Sequence, residues 1–340
     1  SGGFMKQNGF IEGHNLQRGN FRSNIDTNPI EGMKIAFNVG ARIEDLNIAG
    51  THGYANQTGN NVVSSLLSAL PFVPREYMGY PTGPQRNGDN PEYGANHSGF
   101  DKRRTVKIET SVNLDYEIPF LKGLKAGMFF SWDWDDTAKK KISYPYKVMR
   151  YYPHLKSYGY EYTDSMRKGG IMIQSDDKYQ QLILRPSISY HGEFGKHHVN
   201  GLLLYEQTTR KSSNFSANRT DFILFDIPEL DFGSKIHPSD GNHGGSNESA
   251  YAGFVGRFNY SYASKYLAEF TFRYDGSYKF AEDNRWGFFP SVSLGYVMSE
   301  ENFFKSLFPN INYFKLRGSF GILGNDNVDA FKHRKLFALR

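Results

Sequence analysis

The residues able to do chemistry in this chain seldom stand at spacings that chemistry needs. His197 and His198 are adjacent, so on a strand they point to opposite faces and cannot easily chelate one metal; a solvated turn beside 193–196 is the better reading. Asp135-Asp136 and Asp176-Asp177 flank a loop. A hydrolase needs two carboxyl groups about 5–9 Å apart across one cleft, and adjacency alone does not supply that. His237, Asp240 and His243 share the Gly-rich loop 233–246, which reads more readily as plain loop than as a metal site. Gly324-Asn325-Asp326-Asn327 begins like a calcium loop but lacks the downstream Glu at the required place, so it reads as a turn. No nucleophile elbow, dinucleotide fingerprint or phosphate loop occurs. With no cysteine, thiol catalysis, Cys-ligated zinc, iron–sulfur clusters and disulfide stapling are all excluded. The expectation is a protein that is not an enzyme, with no cofactor and no metal.

Binding is better provided for. Tyr144, Tyr146, Tyr151, Tyr152 and Tyr158 crowd one stretch, with Tyr160 and Tyr162 beyond them. A tyrosine ring stacks on sugars and peptides while its hydroxyl hydrogen-bonds, so these are the candidate substrate-binding residues; packing of the loop on itself is the competing reading. Segment 62–74 has the pattern of a short amphipathic helix, set within a loop.

The elements that must carry these residues are strands. Val106, Ile108, Thr110, Val112, Leu114, Tyr116 and Ile118 alternate with Lys107, Glu109, Ser111, Asn113, Asp115 and Glu117. Such a run exceeds the about 5–6 residues of a globular strand and suits a tilted membrane-crossing strand of about 9–11. Similar alternation recurs near 33–43, 124–134, 182–190, 254–262, 266–274, 288–298 and 314–322, with less regular strands near 14–26 and 198–208. About ten strands result. Short turns at 26–31, 119–123, 193–196 and 263–265 alternate with long polar loops at about 47–103, 137–177 and 211–249.

One face of these strands is apolar and the other carries charge. Glu109, Asp115, Arg185, Arg257, Glu269, Arg273 and Arg317 fall on the polar rows and are the candidate lumen-facing residues. Charges of both signs along a strand are costly in a sandwich core and easily placed in a wet lumen. Trp132, Trp134, Tyr260 and Tyr262 are expected at strand ends, where aromatic rings meet lipid headgroups. The fold class expected is all-β: an antiparallel transmembrane β-barrel with short periplasmic turns and long extracellular loops.

Composition agrees. The 340 residues include 28 Phe, 23 Tyr, 3 Trp and 35 Gly, yet apolar content is only 39%. Mean hydropathy is −0.59. No run approaches the roughly 18 apolar residues of a spanning helix. Half of each strand facing lipid, with the rest wet, reconciles many aromatics with low hydropathy. The net charge of +5 is mild, and Lys102-Arg103-Arg104 and Lys139-Lys140-Lys141 read as solvated strand–loop junctions, so no nucleic-acid role is expected. The Ser-Gly-Gly start shows no leader pattern, and the chain reads as an internal piece of a longer one.

Stretch 251–327 closely resembles the barrel of SusC/RagA-type TonB-dependent outer-membrane transporters. The resemblance rests on Gly256-Arg257, Tyr274-Asp275-Gly276-Ser277, Trp286-Gly287-Phe288-Phe289-Pro290, Leu316-Arg317-Gly318-Ser319 and Gly324-Asn325, with Leu70-Pro71-Phe72-Val73-Pro74 resembling the family's first long loop. It implies a 22-stranded barrel in the outer membrane of a Gram-negative bacterium, of which about ten strands are present and the plug and C-terminal strands absent. It also implies a SusD-like lipoprotein lid, energy from the TonB complex through the missing N-terminal part, and an oligosaccharide or peptide ligand. Two other readings are an ungated porin or adhesin barrel, which predicts no plug upstream, and a soluble carbohydrate-active β enzyme, which predicts extraction without detergent. An arc cut from a larger barrel should form a curved open sheet whose first and last strands do not pair.

Overall fold

Period-two alternation of β-branched and aromatic residues with polar ones commits most of the chain to strands. The computed structural model describes residues 1–49, 67, 71, 73–83, 90–152, 154–162, 169–222, 226–234, 241–330 and 332. Its main element is an antiparallel meander of eleven strands. They are β1 (Gly2–Asn8), β2 (Asn15–Thr27), β3 (Met33–Ala49), β6 (Gly99–Glu117), β7 (Leu124–Ser143), β10 (Ile171–Phe194), β11 (His197–Thr220), β12 (Gly241–Tyr262), β13 (Tyr266–Ser277), β14 (Trp286–Val297) and β15 (Lys315–Gly321), in that spatial order. β1 and β15 are the two edges, so among the described residues the sheet is open, as expected of an incomplete barrel. β1 is the strand that alternation did not reveal.

The connections sort by end. Segments 28–32, 118–123, 195–196 and 263–265 join strands at one end, whereas 50–98, 144–170 and 221–240 join them at the other. The tightest turn, 195–196, has Gly195 at φ 62°, which suits the first position of a two-residue hairpin turn. Gly123 lies at φ 85°, and a Cβ there would strike the His191 carbonyl oxygen, so this turn requires glycine. Within the long connections lie hairpin β4 (Glu76–Tyr77) with β5 (Tyr80–Pro81), helix α1 (Pro91–His97), and hairpin β8 (Lys147–Tyr152) with β9 (Ser157–Tyr162). The amphipathic segment expected at 62–74 falls largely outside the described residues, as do Leu70 and Phe72 by number.

Several strands are far longer than a bilayer demands. β6 has 19 residues, β7 has 20, and β10 and β11 have 24 each. They therefore run well into the stretches read as loop at 47–103, 137–177 and 211–249. Consequently Trp132 and Trp134 fall inside β7 rather than at its end, while Tyr260 and Tyr262 do close β12.

Register carries each face across the sheet. Ile25, Phe37, Val112, Phe130 and Leu184 are successive cross-strand partners, as are Phe258, Phe270, Val292 and Phe320. Many of these side chains are exposed, Phe320 by 77% and Phe270 by 40%. A continuous exposed apolar face of this size fits lipid rather than water. Aromatic rings bound it. At the short-turn end Tyr262, Tyr266 and Tyr296 stack in sequence, with centroids 6.3 and 5.1 Å apart. Toward the other end Tyr274 stacks on Trp286 at 5.0 Å. The ten steps from Trp286 to Tyr296 span ~34 Å along the strand at ~3.4 Å each, or ~26 Å after a tilt of ~40°, close to the ~25 Å apolar band of such barrels. No helix among the described residues is long and apolar enough to cross a membrane.

Buried packing is concentrated at the long-loop end. Ile142, Met172 and Phe222 form a small core, with Phe100, Tyr144 and Leu230 packed against it.

Candidate functional site

The opposite face of the sheet is ionic. Alternation and register put Arg42, Lys107 and Asp135 side by side, and likewise Asn259, Glu269, Ser293 and Ser319. The charges are compensated locally. Lys107 pairs with Glu109 at 2.9 Å, and Lys125 with Asp115 at 3.4 Å. Arg185 donates from Nε to Glu206 and also lies over the Phe129 ring, 5.5 Å from its centroid. Arg257 donates to Glu269 Oε2 from Nε at 3.1 Å and from Nη2 at 2.6 Å. Arg273 makes a two-pronged contact with Asp275 at 2.8 and 2.9 Å. Arg317 donates to Ser293 Oγ at 2.9 Å. All seven residues picked from the alternation thus lie on this face, each with a partner. A cleft at its long-loop side gathers Glu206, Arg210, Tyr251, Arg273, Asp275 and Asn325. Such a surface offers both donors and acceptors to a polar ligand without carrying one dominant charge.

The tyrosines divide into two groups. Tyr146 is buried, and its hydroxyl is committed to the backbone of Asn90. It supports the loop and offers no ring to a ligand, contrary to expectation. Tyr144 is half-buried against the small core, where burial first, and the nearby Asp226 charge second, push its phenol above the usual range. Tyr152 packs beside Gly159 and edge-on to His154 at 5.9 Å. Tyr151 is exposed and lies 5.3 Å from Tyr158. Tyr158 stacks on Tyr77 at 4.2 Å, and Tyr160 meets Tyr80 edge-on at 4.7 Å. The two hairpins thereby present a cluster of rings beyond the strand ends. Tyr77 and Tyr80 escaped the sequence reading because they lie about 80 residues away from their partners, in another connection.

Asn90 is the organising residue that the sequence reading missed. Its Oδ1 caps α1 by accepting from Tyr93 N at 2.9 Å, with Pro91 following at the first helical turn. Its Nδ2 donates to the carbonyls of Arg75 at 3.0 Å and Thr82 at 3.1 Å. One side chain therefore ties α1 to the β4–β5 hairpin. The Asn-Pro pair followed by Glu92 was the available signal.

The other candidates come apart. Asp326 accepts from Ser277 Oγ at 3.1 Å and pairs with Lys279 at 3.7 Å, so the 324–327 turn is held by protein contacts. His197 turns to Tyr260, 2.7 Å away, whereas His198 faces Glu193 at 3.4 Å, on opposite sides of β11. His237 and Asp240 lie outside the described residues.

No family profile matches the chain. Sequence comparison finds TonB-dependent receptor P3 of Formosa agariphila, 25% identical over 342 residues, covering 98% of this chain and 32% of that protein. TonB-dependent receptor SusC of Bacteroides thetaiotaomicron is 45% identical over 87 residues, covering 25% of this chain and 9% of that protein. Among solved structures, the RagAB peptide transporter matches with TM-score 0.69 at 18% identity, over 95% of this chain and 34% of that one. Its 'open-open' state gives TM-score 0.70. The chain thus spans about a third, or less, of the length of each of these proteins. With sequence likeness to a TonB-dependent receptor along nearly its whole length, and an open antiparallel sheet with one lipid-suited and one ionic face, the chain resembles part of the β-barrel of a SusC/RagA-type TonB-dependent receptor.

Proposed function

We propose that this chain forms one wall of an outer-membrane importer that takes up oligosaccharides or peptides by a TonB-dependent route, with a SusD-like lipoprotein as its lid. The observation that carries the reading is the two-faced sheet. The exposed apolar rows are suited to lipid, and the compensated ionic rows, Glu109, Asp115, Arg185, Arg257, Glu269, Arg273 and Arg317 among them, to a wet lumen. The relatives support import as the activity: the TonB-dependent receptors by sequence, and a peptide transporter by fold. The tyrosine cluster of Tyr77, Tyr80, Tyr151, Tyr158 and Tyr160 serves as the first ligand contact. No covalent chemistry is involved; the work is capture and passage, and the proton-motive force supplies the energy through TonB. The test is uptake of labelled oligosaccharides and peptides by cells bearing the full-length receptor, with and without a protonophore. Uptake abolished by the protonophore is the expected result. Passage that survives it favours an ungated pore, and a protein extracted without detergent removes the barrel reading altogether.

A further inference from the structure

One connection at the short-turn end breaks the pattern of its neighbours. Where 28–32, 118–123, 195–196 and 263–265 simply reverse the chain, segment 298–314 holds a single 3₁₀ turn, Met298–Glu300, and the helix α2 (Asn302–Leu307). Its apolar residues fall into two sets. Phe304 is buried and packs on Phe308 at 5.1 Å and on Phe314 at 5.3 Å, which fixes the fold of the segment. Phe303 and Leu307, one helical turn apart on the same side, are exposed by 52% and 68%, and Ile311 and Tyr313 are exposed as well.

The position of the segment says what would cover those residues. Glu301, directly before α2, accepts from Lys265 Nζ at 2.9 Å and from the Tyr266 hydroxyl at 3.2 Å. Tyr266 belongs to the apolar face, in the aromatic row with Tyr262 and Tyr296. The helix is therefore tethered to the lipid side of the sheet, at the level where aromatic rings meet headgroups. Lys305 and Glu300, paired at 3.1 Å and exposed, supply the polar side.

We propose that segment 298–314 is an interfacial anchor whose Phe303 and Leu307 enter the phospholipid of the inner leaflet, at the boundary between headgroups and acyl chains. A helix with one aromatic-aliphatic side and one charged side is suited to lie in that plane. The inference rests on the barrel reading above. Because the chain contains no cysteine, single labels are unique within it. Nitroxides are placed by Phe303→Cys, Leu307→Cys, Lys305→Cys and Phe270→Cys in the full-length receptor, reconstituted in phospholipid bilayers. Collision with oxygen, which partitions into lipid, and with a water-soluble nickel chelate is then measured. The expected result is an oxygen-to-nickel ratio at 303 and 307 several-fold above that at 305 and approaching that at 270. Free access of nickel to 303 and 307, with 270 lipid-like, overturns the anchor and leaves the barrel intact. Shielding of 303 and 307 from both reagents also overturns it, because protein then covers them. A water-like 270 overturns the barrel reading itself.

Discussion

The Tyr146 hydroxyl bridges the backbone of Asn90, accepting its N–H at 3.0 Å and donating to its carbonyl at 3.1 Å, although the two residues are 56 positions apart. The Asn90 carbonyl has a second donor in Gly94 N at 2.7 Å, but the buried N–H depends on Tyr146. Tyr146→Phe should therefore cost about 1–3 kcal/mol locally, the penalty of an unsatisfied buried donor, and speed amide exchange across α1 by about tenfold or more. Tyr158→Ala should do the reverse: weaken ligand binding while leaving that exchange unchanged. A Tyr158→Ala receptor with undiminished affinity would remove the hairpin cluster from the site.

The face assignment has a direct energetic consequence at two consecutive residues of β13. Phe270 lies mid-band on the apolar face and Thr271 on the ionic one. Phe270→Arg should destabilise the folded barrel in bilayers by about 2–4 kcal/mol, whereas Thr271→Arg should cost less than about 1 kcal/mol. Equilibrium unfolding in lipid vesicles reads both, and equal costs would contradict the assignment.

Arg257 and Glu269 form a cross-strand pair whose side chains are both solvent-accessible, by 56% and 28%. Their coupling should be small, about 0.2–1 kcal/mol in a double-mutant cycle. Arg257→Gln should leave assembly intact and free one carboxylate on the ionic face. Uptake of cationic ligands should then rise relative to anionic ones, and an unchanged preference would place the pair off the path.

Acid should release α2. The Lys265 hydrogen bond holds the Glu301 carboxyl below the usual carboxylate range against burial, the next largest effect, which raises it; a hydrogen bond from Tyr266 adds a smaller lowering, and Glu300 and Tyr296 are its other ionisable neighbours. A carboxyl whose folded pKa is lowered contributes its tether above the unfolded value and loses it as pH falls through the lowered one. A nitroxide at 303 should therefore be immobile at neutral pH and gain mobility at pH well below the ordinary carboxylate range. Glu301→Gln should be mobile throughout and lose most of this pH dependence.

The limits of the sequence reading follow from where water is. Between the aromatic rows one face is lipid-suited and the other ionic, so Val106–Ile118 or Tyr266–Tyr274 by number announce strands through strict alternation. Above them both faces are wet, and stretches such as 212–220 or 241–250 carry Ser, Asn and Gly on both sides, so the pattern vanishes though the ladder continues. β1 was missed for another reason: in Gly2–Asn8 the two apolar residues, Phe4 and Met5, are adjacent, and the strand is recruited by its register with β2. Among the tyrosines, composition gave no means to separate Tyr146, whose hydroxyl is spent on Asn90, from Tyr158, whose ring stacks on Tyr77. That distinction depends on contacts between separate connections.

The 24 residues of β10 and β11 reach roughly 80 Å along the strand, or roughly 60 Å along the barrel axis at a tilt of ~40°. With an apolar band of ~25 Å, roughly 30 Å of sheet stands clear of the hydrocarbon. On the import reading proposed above, a hydrated ligand would meet a rigid hydrogen-bonded parapet while still in high-dielectric surroundings. Its recognition need not be coupled to the loss of its own hydration, because selection and desolvation happen at different heights.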